Sequence, residues 1–411
     1  MTVRFSDGWL VSVCVSRVLS YATYMVFAAC LAVVRVEWGI SAAQAALVST
    51  GFNAAYAVSL VVFSAMADRF GARRVVLWSA WSSAVTGLLF GLGARSFGST
   101  LALYTVVGLT QGGLYNPIIM LMAERYVPAR RGRAVGWLIS STSIGYAASL
   151  AGAGLALGWG GYPFAFLICG TLPSLGALLL TLALRSTPES GRRAAAKTSP
   201  RAAGYRRGDA RRLVLGYTAH SWELLGMWAW MPAFLTAVLA GSRAGGVQLA
   251  DRGAYLAARL HLLGAVAAAT MGRLSDAMGR RRVLVALAAS ASVCSFTIGW
   301  TVAWPTWAVL ALAVAYSFTA LGDSPVLSTA LTEVVGLKGL GTVLGVRSLL
   351  GFGAGAVAPW AFGLVLDATN PGQVMPAVWG WAYAVLGAGG VVAALCAWRL
   401  GGEFRPTPRG A

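Results

Sequence analysis

Charge is scarce in this chain. Only 11% of its 411 residues are Asp, Glu, Lys or Arg, against about a quarter in a soluble globular protein. That supply cannot clothe the surface of a water-soluble enzyme. Acidic groups are scarcer still: 13 Asp and Glu stand against 32 Lys and Arg, and His occurs twice. The cysteines Cys14, Cys30, Cys169, Cys294 and Cys396 all fall in apolar stretches without C-x-x-C spacing, so core packing is expected for them and no metal site or cofactor is indicated. A Walker loop and a nucleophile elbow are both missing. The stretch Gly351-Phe-Gly-Ala-Gly355 lies inside an apolar run, where small residues let helices pack closely. A non-enzymatic protein is expected.

Long apolar runs are what the chain has in quantity, with 58% hydrophobic residues. A helix crossing a bilayer core needs about 20 mostly apolar residues. Twelve runs of that kind can be read, roughly at 9–34, 42–65, 75–92, 101–122, 134–159, 164–184, 213–239, 254–271, 283–304, 307–331, 341–366 and 378–400; they are numbered spans 1 to 12. The first is long enough to cross and carries Arg17, so it is expected to be a membrane helix rather than a cleaved signal. The only linker-like stretch is the basic segment 186–212. It separates an N-terminal bundle, 1–185, from a C-terminal bundle with a short tail, 213–411.

The formal charge of +19 could suggest nucleic acid in a soluble protein, but its placement argues otherwise. With both termini cytoplasmic, only Arg35, Arg95, Arg243 and Arg252 lie outside, and Arg17, Arg259 and Arg347 lie within spans. All other basic residues then fall on the cytoplasmic side, a strong positive-inside bias. A nucleic-acid partner is not expected, because no soluble basic face exists. The expected setting is a multi-pass protein of a bacterial inner membrane. Since one chain carries twelve spans, a monomer is expected to suffice.

Two loops repeat one text. Ser64-Ala-Met-Ala-Asp68-Arg69-Phe-Gly71-Ala-Arg73-Arg74 follows span 2, and Gly272-Arg-Leu-Ser-Asp276-Ala-Met-Gly279-Arg280-Arg281-Arg282 follows span 8. Glu124 and Glu333 end spans 4 and 10, and Gly136 and Gly345 open the next spans, at nearly the same half-chain offset. The halves therefore read as a duplicated six-helix unit, an arrangement common among transporters. A short loop between antiparallel helices needs Gly at its bend, and a carboxylate at a helix end can pair with Arg or with a helix N-terminus. Asp68, Arg69, Gly71, Arg73, Asp276, Gly279 and Arg280 are accordingly expected to act in gating.

With twelve spans, a central loop and G-x-L-a-D-r-x-G-r-r after spans 2 and 8, the chain resembles the major facilitator superfamily along its whole length. The second copy fits well, while the first departs at Ser64, Met66 and Ala72. The resemblance implies an all-α membrane protein of two pseudo-symmetric six-helix bundles. It also implies a cavity lined by spans 1, 4, 7 and 10 and reached alternately from either side.

Ionisable groups inside spans cost about 2.5–3.5 kcal/mol even on insertion scales, so they mark candidate sites. Arg17 (span 1), Glu223 (span 7), Arg259 and His261 (span 8) and Asp323 (span 10) lie near the estimated midplane, and Arg347 lies nearer the cytoplasmic end of span 11. Arg17 and Arg259 are expected to hold an anionic substrate, since a guanidinium can grip a carboxylate by two hydrogen bonds. Tyr21, Tyr24, Gln111, Tyr115 and Trp230 would line the substrate site. Glu223 and Asp323 would couple transport to protons, because burial and neighbouring charge tune a carboxylate. Arg259 and Glu223 could instead form a fixed salt bridge. Asn53, Asn116, His220, Met227, Met231, His261 and Arg347 complete the candidates. The expected partners are a small-molecule substrate, H+ and the lipid bilayer.

Proton-coupled transport of a small organic anion is the leading expectation. Drug or metabolite efflux by proton antiport competes, although Gly108 stands where R-x-x-q-G of the drug antiporters has arginine ahead of Gln111-Gly112. Copper uptake through Met227 and Met231 also competes, because thioethers suit Cu(I). A receptor or scaffold that keeps the fold without moving solute is the non-transport reading.

Overall fold

The computed structural model describes residues 7–187, 207–241, 249–335, 340–372 and 377–401. Most of the linker 186–212, Arg243 and the tail after Gly401 lie outside the described residues. Among those described, the regular structure is helical throughout. Eleven helices are long and apolar enough to cross a membrane. One of them, Ala134–Leu184, is 51 residues long, or about 77 Å at 1.5 Å per residue. That is more than twice a bilayer core of about 30 Å. Its helical geometry fails at Gly160 and at Gly161, where φ is 67°, and Pro163 follows after Tyr162. The long element is therefore spans 5 and 6 joined by a glycine reversal, which gives twelve spans.

Two compact units emerge. The first comprises Met1–Ile40, Gly51–Ala196 and Val247–Ala258, and the second Ser41–Thr50, Lys197–Gly246 and Arg259–Ala411. The opening turns of span 2 thus group with the second unit and those of span 8 with the first. The same close approach marks each exchange. A Cβ on Gly363 would lie 2.7 Å from the Ala42 carbonyl, and one on Gly154 would lie 3.0 Å from the Asp251 carbonyl. Each residue of one pair is 209 positions from its counterpart in the other (363 − 154 and 251 − 42), so the sequence repeat is also a repeat of contacts. The copies differ in chemistry. Asp367 accepts from the amides of Ala42 and Ala43 at 2.8 Å each, capping the start of span 2, whereas Gly158 stands at the equivalent place.

The repeated loops fold alike. Gly71 and Gly279 adopt φ of 92° and 93° and precede the helices Ala72–Gly93 and Arg280–Ile298. An L-residue with a side chain rarely takes that conformation, which explains the glycine in both copies.

Within the first unit, spans 3 and 6 meet backbone to backbone. A Cβ on Gly170 would collide with the Gly87 carbonyl oxygen, and one on Gly91 would lie 2.9 Å from that of Phe166. Gly170→Ala is expected to destabilise this unit by about 1–3 kcal/mol through overpacking. The measurement is the melting temperature of the purified protein in detergent, and an unchanged value would contradict this seam.

Candidate functional site

In the first unit the site is built on two broken helices. Span 1 runs as Gly8–Ser20, a tight 3-10 turn at Tyr21–Thr23, and Val26–Glu37. Span 4 runs as Phe97–Gln111, a second tight turn at Gly112–Leu114, and Asn116–Arg125, with Pro117 opening its last piece. In hydrocarbon every freed backbone group must find a protein partner. For span 1, Gln111 donates to the Ser20 carbonyl at 3.2 Å and to Thr23 Oγ1 at 2.6 Å. The Tyr104 hydroxyl lies 2.8 Å from the carbonyls of both Thr23 and Tyr24. Ser149 donates to the Ala22 carbonyl at 2.5 Å and accepts from the Met25 amide at 3.1 Å.

Arg17 spans the two breaks and is 1% exposed. It donates to the Leu114 carbonyl freed in span 4, to Tyr21 Oη at 3.0 Å and to Thr142 Oγ1 at 3.2 and 3.1 Å. The rings of Tyr21 and Tyr115 lie 4.8 and 4.9 Å from its guanidinium carbon. Among the described residues Arg17 pairs with no carboxylate, so this buried cation has only neutral partners.

An aromatic wall adjoins it. Tyr21 and Tyr56 share a hydroxyl contact at 3.2 Å, and Tyr24 donates to Asn53 Oδ1 at 3.3 Å. Tyr146 packs 4.4 Å from Tyr24, centroid to centroid. Asn116 lies apart from Arg17's partners and donates to Ser64 Oγ at 2.9 Å. The sequence singles out Arg17, Tyr21, Tyr24 and Tyr115 but misses Thr142, Tyr56, Tyr146 and Ser149. Only a hydroxyl periodicity along spans 2 and 5 could have indicated these four.

The second unit holds the acidic groups. His220 Nδ1 lies 3.0 Å from Asp323 Oδ1, without the alignment of a hydrogen bond, and His220 Nε2 lies 2.8 Å from Ser324 Oγ. Glu223, one turn along span 7, sits near Tyr316 and Asp323. Its Oε2 abuts the small residues of spans 9 and 12, where a Cβ on Gly390 would come within 2.6 Å of it. Glu223 and Asp323 are 3% and 4% exposed, and one oxygen of each is buried without a hydrogen-bond partner among the described residues. Two carboxylates in such a place repel one another when both are charged.

Span 8 places its two candidates on opposite faces. Arg259 is exposed and His261 is buried, with the His261 ring 5.0 Å from that of Trp228. No ion pair joins Arg259 to Glu223 among the described residues. Trp230 is fully buried, donates to the Pro359 carbonyl at 3.0 Å and stacks on Phe362 at 4.9 Å. Met227 is buried, and Met231 Sδ takes a contact of 3.9 Å from the Tyr383 hydroxyl.

In the second loop copy Arg280 reaches Asp276 at 2.5 Å and Glu333 at 2.9 Å, and donates to Ser275 Oγ at 2.5 Å. Glu333 is a partner that the sequence indicates only through the repeat. In the first copy Arg73 donates to the Leu184 carbonyl at 3.0 Å and Arg69 lies 5.2 Å over the Phe70 ring, while Asp68 is exposed.

Twelve spans in two repeated six-helix sets, with broken helices and ionisable groups buried at mid-span, define a multi-pass secondary transporter. The match to the Major Facilitator Superfamily covers residues 13–258, and the chain belongs to that family. It is 27% identical over 89% of its length, and 78% of the relative's, to a probable 4-methylmuconolactone transporter of Cupriavidus pinatubonensis. It is 25% identical over 87% of its length, and 86% of the relative's, to a probable sulfoacetate transporter of Cupriavidus necator. The fold matches a bacterial homolog of the human lysosomal transporter Spinster with a TM-score of 0.72, at 18% identity over 94% of both chains. It also matches a D-xylose-proton symporter with a TM-score of 0.72, at 16% identity over 97% and 98% of the two chains.

Gln111→Leu removes the donor that stabilises the break in span 1. Leaving the Ser20 carbonyl buried and unpaired is expected to cost about 1–3 kcal/mol, read as a lower melting temperature. A wild-type melting profile would show that the break holds without Gln111.

Proposed function

We propose that this transporter carries a small organic anion together with protons. The observation that supports this reading is the division of buried charge: Arg17 in the first unit has only neutral partners, while in the second Asp323 faces a histidine and Glu223 lies near Asp323. A buried guanidinium without a counter-ion is stabilised by an anion that arrives from solution. Arg17 would bind it, Tyr21, Tyr24 and Tyr115 would form the wall, and Gln111 would hold the broken helix in place. Protonation of the Glu223–Asp323 pair would offset the charge that the anion brings into the membrane. The names of both Cupriavidus relatives point to acids or acid derivatives, which agrees with this substrate class.

Both termini are assigned to the cytoplasm from the distribution of Lys and Arg, in a bacterial inner membrane, with one chain as the working unit. The loop cluster of Asp276, Arg280 and Glu333 is assigned to gating at that face, with Asp68, Arg69, Gly71, Arg73 and Gly279 as its repeat partners and bends.

In proteoliposomes an imposed pH gradient should drive accumulation of the anion by wild-type protein. Glu223→Gln and Asp323→Asn should abolish the response to the gradient while exchange of labelled for unlabelled substrate continues; gradient-driven accumulation in both variants would remove the coupling assignment. Arg17→Gln should weaken anion binding at least roughly tenfold, since a charge-assisted hydrogen bond contributes about 1.5–3 kcal/mol. Unchanged affinity by calorimetry would remove Arg17 from the site.

A further inference from the structure

Arg347 is a half-buried cation that the proposed mechanism leaves unused. It belongs to the second unit, as do Tyr217, His220 and Asp323, and lies about two turns into the helix Leu340–Thr369. That helix packs along Arg207–Ala240 through rows of residues spaced by four: Arg347, Gly351 and Gly355 on span 11 against Tyr217, Ser221 and Leu225 on span 7. A Cβ on Gly351 would collide with the Tyr217 ring and lie 3.0 Å from Ser221 Oγ, and one on Gly355 would collide with the Leu225 side chain. The two glycines thus bring the helices into contact. The row ends where Arg347 lies over Tyr217, 3.8 Å from guanidinium carbon to ring centroid.

That stacking has a chemical consequence. A guanidinium held by its face keeps its in-plane N–H groups available for an oxyanion. Among the described residues Arg347 forms no ion pair, and its Nε is buried without a hydrogen-bond partner. A donor in that position is costly until an acceptor reaches it. The acids of this unit are engaged elsewhere: Asp323 lies 3.0 Å from His220, Glu223 lies near Tyr316 and Asp323, and Asp276 and Glu333 hold Arg280. An arginine that only snorkelled would carry its polar atoms out to water, whereas this one leaves its Nε in the seam between two helices.

We infer that Arg347, seated on Tyr217, forms an oxyanion site wholly within the second unit, taking a carboxylate or a phosphate group on its N–H edge. The site is separate from the one proposed at Arg17 and does not depend on it. The glycine row is part of its construction, because a larger residue at 351 would part the helices and lift the guanidinium from its seat. Two sources supply such a group near the end of a span: a free anion from solution and the phosphate of an anionic lipid headgroup. The chemistry at Arg347 is the same for both.

The test is the melting temperature of the purified full-length protein in acetate, in phosphate and in chloride at equal ionic strength. It is read as the rise in the oxyanion over chloride, so that any packing role of Arg347 cancels. At about ten times the dissociation constant, one occupied site should raise the wild-type value by about 2 °C. Arg347→Gln should lose that site's share of the rise, and Arg17→Gln should keep it. Arg347→Lys, a point charge without the fork, should keep less of it than arginine does. Nanodiscs of phosphatidylcholine with and without phosphatidylglycerol, both in chloride, distinguish the sources. A rise with phosphatidylglycerol that Arg347→Gln removes assigns the oxyanion to a headgroup, and a rise with free acetate or phosphate in phosphatidylcholine alone assigns it to solution. A rise unaffected by Arg347→Gln, as expected of an arginine that serves only topology or packing, overturns the site; if Arg17→Gln abolishes that rise, the Arg17 reading stands alone. Should Arg17→Gln not fold, the comparison of wild-type protein with Arg347→Gln decides by itself. No rise in wild-type protein from either source also overturns the site.

Discussion

The requirement that backbone polar groups be satisfied inside hydrocarbon governs this structure. Spans 1 and 4 leave helical geometry within the membrane, which lipid would not tolerate. Each carbonyl exposed by the turn at Tyr21–Thr23 meets a donor from another span: Gln111, Tyr104 or Ser149. The carbonyl exposed at Leu114 meets Arg17. The same bonds that make the breaks tolerable fix the guanidinium between Thr142, Tyr21 and Tyr115. Backbone accounting and site geometry are thus one arrangement.

A second constraint is the cost of unpaired charge, and the two units meet it differently. The first holds a cation among hydroxyls, carbonyls and aromatic faces. The second holds Asp323 against the His220 imidazole and packs Glu223 into a slot that exists because residue 390 is glycine. Neither arrangement is self-neutralising when all groups are ionised. The proposed function assigns an anion to the first and protons to the second. The loop cluster around Arg280 is the contrast, since its charge is matched by Asp276 and Glu333 within the cluster itself.

Much of the architecture is legible in the chain because it depends on local rules. The twelve apolar runs follow from bilayer thickness, the one apparent discrepancy being the long helix that reverses at Gly160 and Gly161. The two loops are readable because the left-handed turn needs glycine at positions 71 and 279. Of the site, Arg17 and the two carboxylates stand out because charge is rare within spans. Their neighbours do not: Thr142, Tyr56, Tyr146 and Ser149 are ordinary residues whose roles arise from packing between distant spans. Gln111 reads as a substrate ligand by residue type, and the structure places its amide nitrogen on the Ser20 carbonyl and the Thr23 hydroxyl of span 1.

The sequence by itself determined that the chain crosses the membrane twelve times, that its halves are copies, and which ionisable groups must be accommodated in the apolar phase. These follow from composition, period and repetition, which are properties of residues in order. Only the tertiary structure decided which groups meet. A helix turns about 100° per residue, so a small rotation of span 8 settles whether Arg259 or His261 faces inward, and no local pattern encodes that rotation. The glycine row of span 11 determines in turn that Arg347 lies on Tyr217, because the closeness of two helices is set by what both present at their contact.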